Sequence, residues 1–261
     1  MSDAVRVTCG DGICEVVLDR PKANAIDVVT SRALGQAFAR FRDDPRLRVA
    51  IVTGGGDKFF CAGWDLKAAA ESGERPDTDY GVGGFGGLQE LPGLNKPVIA
   101  ALNGMTVGGG FELALSCDLI LAAEHVRFSL PEINAGTLAD SATLRLPRRI
   151  PYHVAMDLLL TGRWMDAVEA KGWGLVNEVV PAARLLARAR EVARLLADGP
   201  PLVFAAIKET LRETEGMTFP AALHRITSKG LPTVRQLYES EDQLEGARAF
   251  AEKRKPVWRG R

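Results

Sequence analysis

Two acids stand where the surrounding sequence is otherwise apolar or small. Glu112 follows Gly108-Gly-Gly-Phe111, and Glu132 closes the run Phe128-Ser-Leu-Pro131. A glycine run suits backbone that must bend sharply or approach another group closely. Here it tips into Phe111-Glu-Leu-Ala-Leu115, which reads as a helix start. Such a start carries unpaired N–H groups and the positive end of the helix dipole, so it favours developing negative charge. A carboxylate one turn in, beside bare amides, can help polarise a carbonyl and move a proton. The same stretch also reads as an ordinary helix N-terminus with a stabilising first-turn acid. A second turn of like construction, Cys61-Ala-Gly-Trp-Asp65, adds weight to the chemical reading. Two converging amides make an oxyanion hole, and two carboxylates near one polarised carbonyl suit proton transfer to carbon and activation of water. There is no G-x-S-x-G elbow and no histidine placed for a triad, so acid–base chemistry is favoured over covalent catalysis.

The remaining composition narrows the class. The 261 residues are 46% hydrophobic and 25% charged, enough for a full-sized core in one large α/β domain with an appendage. Lys+Arg 33 balance Asp+Glu 33, so no net field draws the chain to nucleic acid or to a membrane surface. The apolar tract from Val98 to Ala123 is interrupted by Asn103, Glu112 and Asp118, which argues for a buried core and against a membrane span. Met1-Ser-Asp-Ala-Val-Arg6 lacks the basic and apolar regions of a signal peptide, so a cytoplasmic location is expected. Cys9, Cys14, Cys61 and Cys117 have no metal-ligand spacing. Cys9 and Cys14 could sit across a hairpin, but all four read as reduced. His125, His153 and His224 are far apart, and no metal site is expected.

The elements that must position the acids follow a pattern. Val5–Cys9 and Ile13–Leu18 flank Gly10-Asp-Gly12 as a hairpin. Asp27 is placed to cap a helix reaching about Arg42, with Leu34, Phe38 and Phe41 on one face. Strands are expected at 49–53, 97–102, 119–122 and 126–129, with a short strand before Ala62-Gly63, giving a repeated strand, strand, helix unit. Glu132 is read as the end of the last strand. Gly81-Val-Gly-Gly-Phe-Gly86 matches G-x-G-x-x-G but neither follows a strand nor opens a helix, so it reads as a mobile surface loop over a pocket rather than a dinucleotide site. Beyond Arg145 amphipathic helices dominate, at 151–160, 166–171, 182–197, 202–212 and 239–253.

These residues carry a resemblance. Arg20-Pro-Lys-Ala-Asn-Ala, Ala62-Gly-Trp-Asp-Leu, Lys96-Pro-Val-Ile-Ala-Ala-Leu-Asn-Gly, Gly-Gly-Gly-Phe-Glu-Leu-Ala, Phe128-Ser-Leu-Pro-Glu-Ile and Phe250-Ala-Glu-Lys-Arg resemble, in order and from end to end, the signature segments of the crotonase (enoyl-CoA hydratase/isomerase) superfamily. The resemblance implies an α/β fold: a ββα superhelix core over residues 1–195 and a C-terminal helical oligomerisation region over 196–261. It implies a homo-trimer or hexamer, acting on an acyl-CoA thioester with no metal or redox cofactor, CoA being part of the substrate. Matched position by position, Glu112 is the base that activates water at Cβ and Glu132 the acid that exchanges the proton at Cα. The N–H groups of Trp64 and Gly109 hold the thioester oxygen. Lys22, Ala23 and Ala62 fall where the family grips CoA, and Phe250 and Lys253 match a C-terminal contact to CoA, often on a neighbouring subunit.

Within the superfamily the chain is most similar to the branch that interconverts crotonobetainyl-CoA and carnitinyl-CoA, through Pro21-Lys-Ala-Asn-Ala-Ile-Asp27, Phe41-Arg-Asp-Asp-Pro45 and Lys255-Pro-Val-Trp-Arg-Gly260. A trimethylammonium group wants an aromatic or acidic wall, for which Trp64, Tyr80 and Phe85 are candidates. The rivals are a hydratase of ordinary acyl chains, a double-bond isomerase and a silent acyl-CoA-binding protein. One segment departs from the family pattern: Ala139 replaces a proline and Ala142-Thr143 stand in for paired glycines. It is expected to reshape the acyl pocket beside Glu132.

Overall fold

The computed structural model describes residues 4–75 and 77–261. The chain opens with β1 (Val5–Gly10) and β2 (Ile13–Leu18), an antiparallel hairpin turned by Asp11 and Gly12, both at positive φ. Such a two-residue turn matches the twist of the strands. Its register puts Cys9 directly opposite Cys14, with Cα atoms 4.2 Å apart, and the two sulfurs are joined as a disulfide. The expectation of four reduced thiols is therefore corrected for this pair: the tight turn leaves the two side chains facing each other. Cys61 and Cys117 are free and buried.

After the hairpin, α1 (Val28–Asp43) begins at Asp27, whose carboxylate accepts the Thr30 N–H, and it buries Leu34, Phe38 and Phe41 as their spacing predicts. The chain then winds through three similar coils. The first holds β3 (Val49–Gly54), β4 (Phe59–Cys61) and α2 (Leu66–Ser72); the second, β5 (Val98–Leu102), β6 (Met105–Val107) and α3 (Gly109–Leu115); the third, β7 (Leu119–Ala123), β8 (Arg127–Ser129) and α4 (Glu132–Ala135). With β9 (Met165–Asp166) and β10 (Glu178–Val180) these strands make two sheets. The larger has the order β1-β2-β3-β5-β7-β10 and is parallel from β2 onward; the smaller has the order β4-β6-β8-β9 and is parallel except at β9. Each coil thus gives its first strand to one sheet and its second to the other. β3 and β5 are buried along their whole length, which explains their unbroken apolar text.

The rest is helical: α5 (Asp140–Arg145), α6 (Tyr152–Thr161), α7 (Ala167–Gly172), α8 (Leu185–Ala197), α9 (Pro201–Glu213), α10 (Phe219–Thr227), α11 (Pro232–Glu239) and α12 (Asp242–Ala251). Helix α8 lays Leu185, Ala189, Ala193 and Ala197 against the large sheet; this i, i+4 stripe of mostly small residues lets helix and sheet approach closely. One apolar cluster runs from Val5 to Ala197, and a separate small one joins Ala206, Leu231 and Val234. Two expectations change here. The helix read at 239–253 is the shorter α12, starting after Ser240 turns to extended backbone, and α10 and α11 were not anticipated. No helix among the described residues is long and apolar enough to cross a membrane.

Candidate active site

The three coils run in step, so β4, β6 and β8 lie side by side and the turns at their ends meet. Trp64 and Asp65 precede α2, Gly108 precedes α3, and Glu132 is the first residue of α4, just past β8 rather than at its end. Backbone contact holds the turns together, and two glycines make it possible. Gly63 has φ +86°, and a Cβ there would lie 2.8 Å from the Gly109 nitrogen. Gly108 has φ +54°, and a Cβ there would lie 2.8 Å from Glu132 Oε1. A side chain at Gly63 would force the first two coils apart, and one at Gly108 would displace the Glu132 carboxylate. The Gly108 N–H donates to Ser129 O at 2.9 Å, tying the second coil to the third. The first turn is braced by Arg20, which bonds Asp27, Asp65 and the carbonyl of Ala25. Asp65 in turn caps α2 by accepting the Ala68 N–H. Among the described residues the N–H groups of Trp64 and Gly109 have no acceptor within the protein.

Glu112 is 7% exposed. Its Oε1 accepts the Ala142 N–H at 2.9 Å, and its Oε2 accepts from Gln89 Nε2 at 3.3 Å. Burial raises its pKa; the bonds from Ala142 and Gln89 oppose that rise, and the nearby Asp140 charge adds to it. Glu132 is pushed up to about 7, chiefly by burial, with repulsion from Glu112 and Asp140 adding to it. One of its oxygens, Oε2, is buried without a hydrogen-bond partner. A carboxyl titrating near neutral pH is matched to give or take a proton. Arg145 fastens this wall by donating to Ser116, Ser141 and the Gln89 carbonyl. The Cys61 thiol beside the first turn is pushed up to about 12 by burial, which leaves it protonated and unreactive.

A cavity of about 460 Å³ collects these groups. Ala62, Trp64, Gly109, Glu112 and Glu132, all singled out from sequence, line it together, and so do Tyr80 and Phe85. Ala23 does not line it, but its carbonyl accepts the Ala62 N–H at 3.1 Å. Lys22, Phe250 and Lys253 do not line it: Lys22 is exposed, Phe250 is 87% exposed on α12, and Lys253 is exposed just beyond that helix. The departing segment contributes differently from expectation. Thr137, Leu138 and Asp140 face the cavity, whereas Ala142 is buried behind it as the amide donor to Glu112, and Thr143 points elsewhere. Of the stretch Gly81–Gly86, read as a surface loop over a pocket, Phe85 lines the cavity, and the stretch is largely packed down. Gly83, Gly84 and Gly86 are buried, and Ser31 of α1 bonds Gly84 O and Gly86 N. Sequence reasoning missed Gln89 and Asp140. An acid among the small residues of the departing segment was the available sign for Asp140; Gln89 gave none.

The sequence from 8 to 261 matches the model of the enoyl-CoA hydratase/isomerase family. The chain is 55% identical, over 261 residues and the full length of both proteins, to a carnitinyl-CoA dehydratase of Salmonella arizonae. It is 52% identical, again over the full length of both, to a carnitinyl-CoA dehydratase of Proteus mirabilis. Among solved structures it is similar to the enoyl-CoA hydratase of Mycobacterium tuberculosis H37Rv (TM-score 0.88, 38% identity, 99% of each chain). It is equally similar to enoyl-CoA hydratase EchA1 of Mycobacterium marinum (TM-score 0.89, 39% identity, 99% of each chain).

Proposed function

Because the chain belongs to the enoyl-CoA hydratase/isomerase family, we propose that the cavity adds water reversibly across the α,β double bond of an enoyl-CoA, with crotonobetainyl-CoA and carnitinyl-CoA as the preferred pair. The observation that carries the reading is the meeting of two unpartnered amides and two carboxylates of raised pKa on one cavity. The thioester oxygen accepts from the Trp64 and Gly109 N–H groups. Glu112, ionised, takes a proton from water as the water oxygen bonds Cβ. The double-bond electrons move toward Cα and the thioester oxygen, where the amides stabilise the enolate-like charge. Glu132, protonated, delivers its proton to Cα, and proton exchange with solvent resets the pair. Oxidation state does not change, so the reading needs no group beyond the CoA carried by the substrate.

The choice of acyl group rests on the two relatives' names and on the aromatic and acidic cavity lining. Ala62 lines the cavity and Ala23 is hydrogen-bonded to Ala62, which supports a CoA grip there, to which Lys22 belongs by sequence position. Phe250 and Lys253 reach CoA only if a neighbouring subunit presents them. Exposed Ile207 and Leu211 on α9, Phe219 and Leu223 on α10, and Phe250 on α12 support a homo-trimer or hexamer built through residues 196–261, the separate core around Leu231 marking that region off from 1–195. Neutral net charge is consistent with a cytoplasmic location.

The test follows loss of the enoyl-thioester absorbance with crotonyl-CoA and crotonobetainyl-CoA. Glu112→Gln and Glu132→Gln are expected to lower kcat by at least about 10²-fold. Undiminished activity in both variants would refute the two-carboxylate mechanism. Preference for crotonyl-CoA would leave a hydratase of ordinary acyl chains.

A further inference from the structure

The cavity is acidic and aromatic at once. Glu112, Glu132 and Asp140 border it, and no lysine, arginine or histidine among the described residues does so. Trp64, Tyr80 and Phe85 supply its aromatic surface. The edge of Phe85 lies 2.3 Å from where a Cβ on Gly109 would stand, so this surface begins beside the Gly109 amide. Tyr80 is buried and meets Phe85 edge to face, ring centroids 5.2 Å apart. Glu74 links the other pair: it accepts from Trp64 Nε1 at 3.2 Å and from the Tyr80 hydroxyl at 3.5 Å. Its neighbour Arg75 is engaged with Asp77, and no ion pair among the described residues involves Glu74.

A quaternary ammonium has no N–H to donate, so hydrogen-bond acceptors cannot fix it. Aromatic faces and uncompensated negative charge can. In a crotonobetainyl thioester the nitrogen is one methylene beyond Cβ, so its seat must share the cavity with Glu112. We infer that Trp64, Tyr80 and Phe85 form that seat, and that Glu74, which holds Trp64 and Tyr80 and leaves its charge unneutralised behind them, selects a cationic acyl group over a neutral one. The inference rests on the hydratase reading and deepens it. Glu74 acts through the rings it orients; it is a specificity residue, not a catalytic one.

The experiment measures KM and kcat for crotonobetainyl-CoA and crotonyl-CoA in wild type, Glu74→Gln, Tyr80→Leu and Asp140→Asn. Glutamine keeps an acceptor for Trp64 and Tyr80 and removes only the charge. Glu74→Gln is expected to reduce the preference for the cationic thioester about ten-fold, through KM, and Tyr80→Leu at least as much. A preference unchanged in Glu74→Gln, or lost only in Asp140→Asn, overturns the assignment. So does a wild type that turns over crotonyl-CoA and shows no preference for the cationic thioester, which leaves the hydratase chemistry standing. If wild type turns over neither thioester, the function fails instead, and calorimetric binding of the same two thioesters reads the subsite: a cationic preference lost in Glu74→Gln supports it, and none overturns it.

Discussion

Replacing Glu132 by glutamine should lower turnover by at least about 10²-fold and, at alkaline pH, make the protein more stable. The folded structure holds this carboxyl at about 7 against an ordinary value near 4.5. A folded-state pKa above the unfolded one means that the native protein binds the proton more tightly. Its contribution to stability is therefore fully present below pH 4.5 and is lost as pH rises through 7. The full shift corresponds to about 3 kcal/mol, most of which, roughly 2–3 kcal/mol, develops between pH 5 and pH 8.5. Glutamine cannot ionise, so the variant escapes that loss. Its amide also replaces the oxygen that lacks a partner, but that effect does not vary with pH. The difference in melting temperature between variant and wild type should therefore grow in the variant's favour by roughly 5–10 °C between pH 5 and pH 8.5. Thermal unfolding at one fixed protein concentration measures it, since assembly would otherwise shift the midpoint. A difference that stays constant across this range would refute the claim that burial beside Glu112 and Asp140 stores the cost of the Glu132 charge.

In the proposed mechanism hydration uses ionised Glu112 with protonated Glu132, and dehydration the reverse, so both directions use the pair with one proton. Because adding water changes no net protonation, kcat/KM should fall above about pH 7 with the same limb in both directions. Limbs that differ, or activity flat from pH 6 to 8, would exclude a shared proton. Gly63→Ala places a side chain at φ +86° and 2.8 Å from the Gly109 nitrogen. It should lower kcat about 10²-fold or more by spreading the two amides, while circular dichroism still reports a folded chain; near-wild-type turnover would separate Gly63 from the oxyanion turn.

The turns were the legible part of this chain because their chemistry is local. Gly63 and Gly108 stand where only glycine fits, and Asp27 caps the helix that its position announces. Glu112 and Trp64 follow from those turns, as does the pairing of coils that brings Glu132 to them. What could not be read depends on parts far apart in the chain. Gln89 reaches Glu112 only because the segment before β5 folds back over α3, and no spacing within the sequence encodes that. Gly81–Gly86 has the composition of a free loop, yet its glycines are there to pack against Ser31 and α1. The Cys9–Cys14 pair depended on the register of the hairpin, which text alone leaves open between facing and offset cysteines. Phe250 and Lys253 remain outside the cavity of this chain.

The stepped coils also set a timetable. The amide of Gly109 and the carboxylate of Glu112 are synthesised well before Glu132, and the N–H that grips Glu112 belongs to Ala142 at the start of α5. A chain emerging from the ribosome can lay down its sheets coil by coil. Until residue 142 has emerged, however, Glu112 lacks the backbone half of its clamp and has only the Gln89 amide. The backbone clamp on Glu112 is therefore made only after all three coils, with β9, β10 and α8 still to be added to the core.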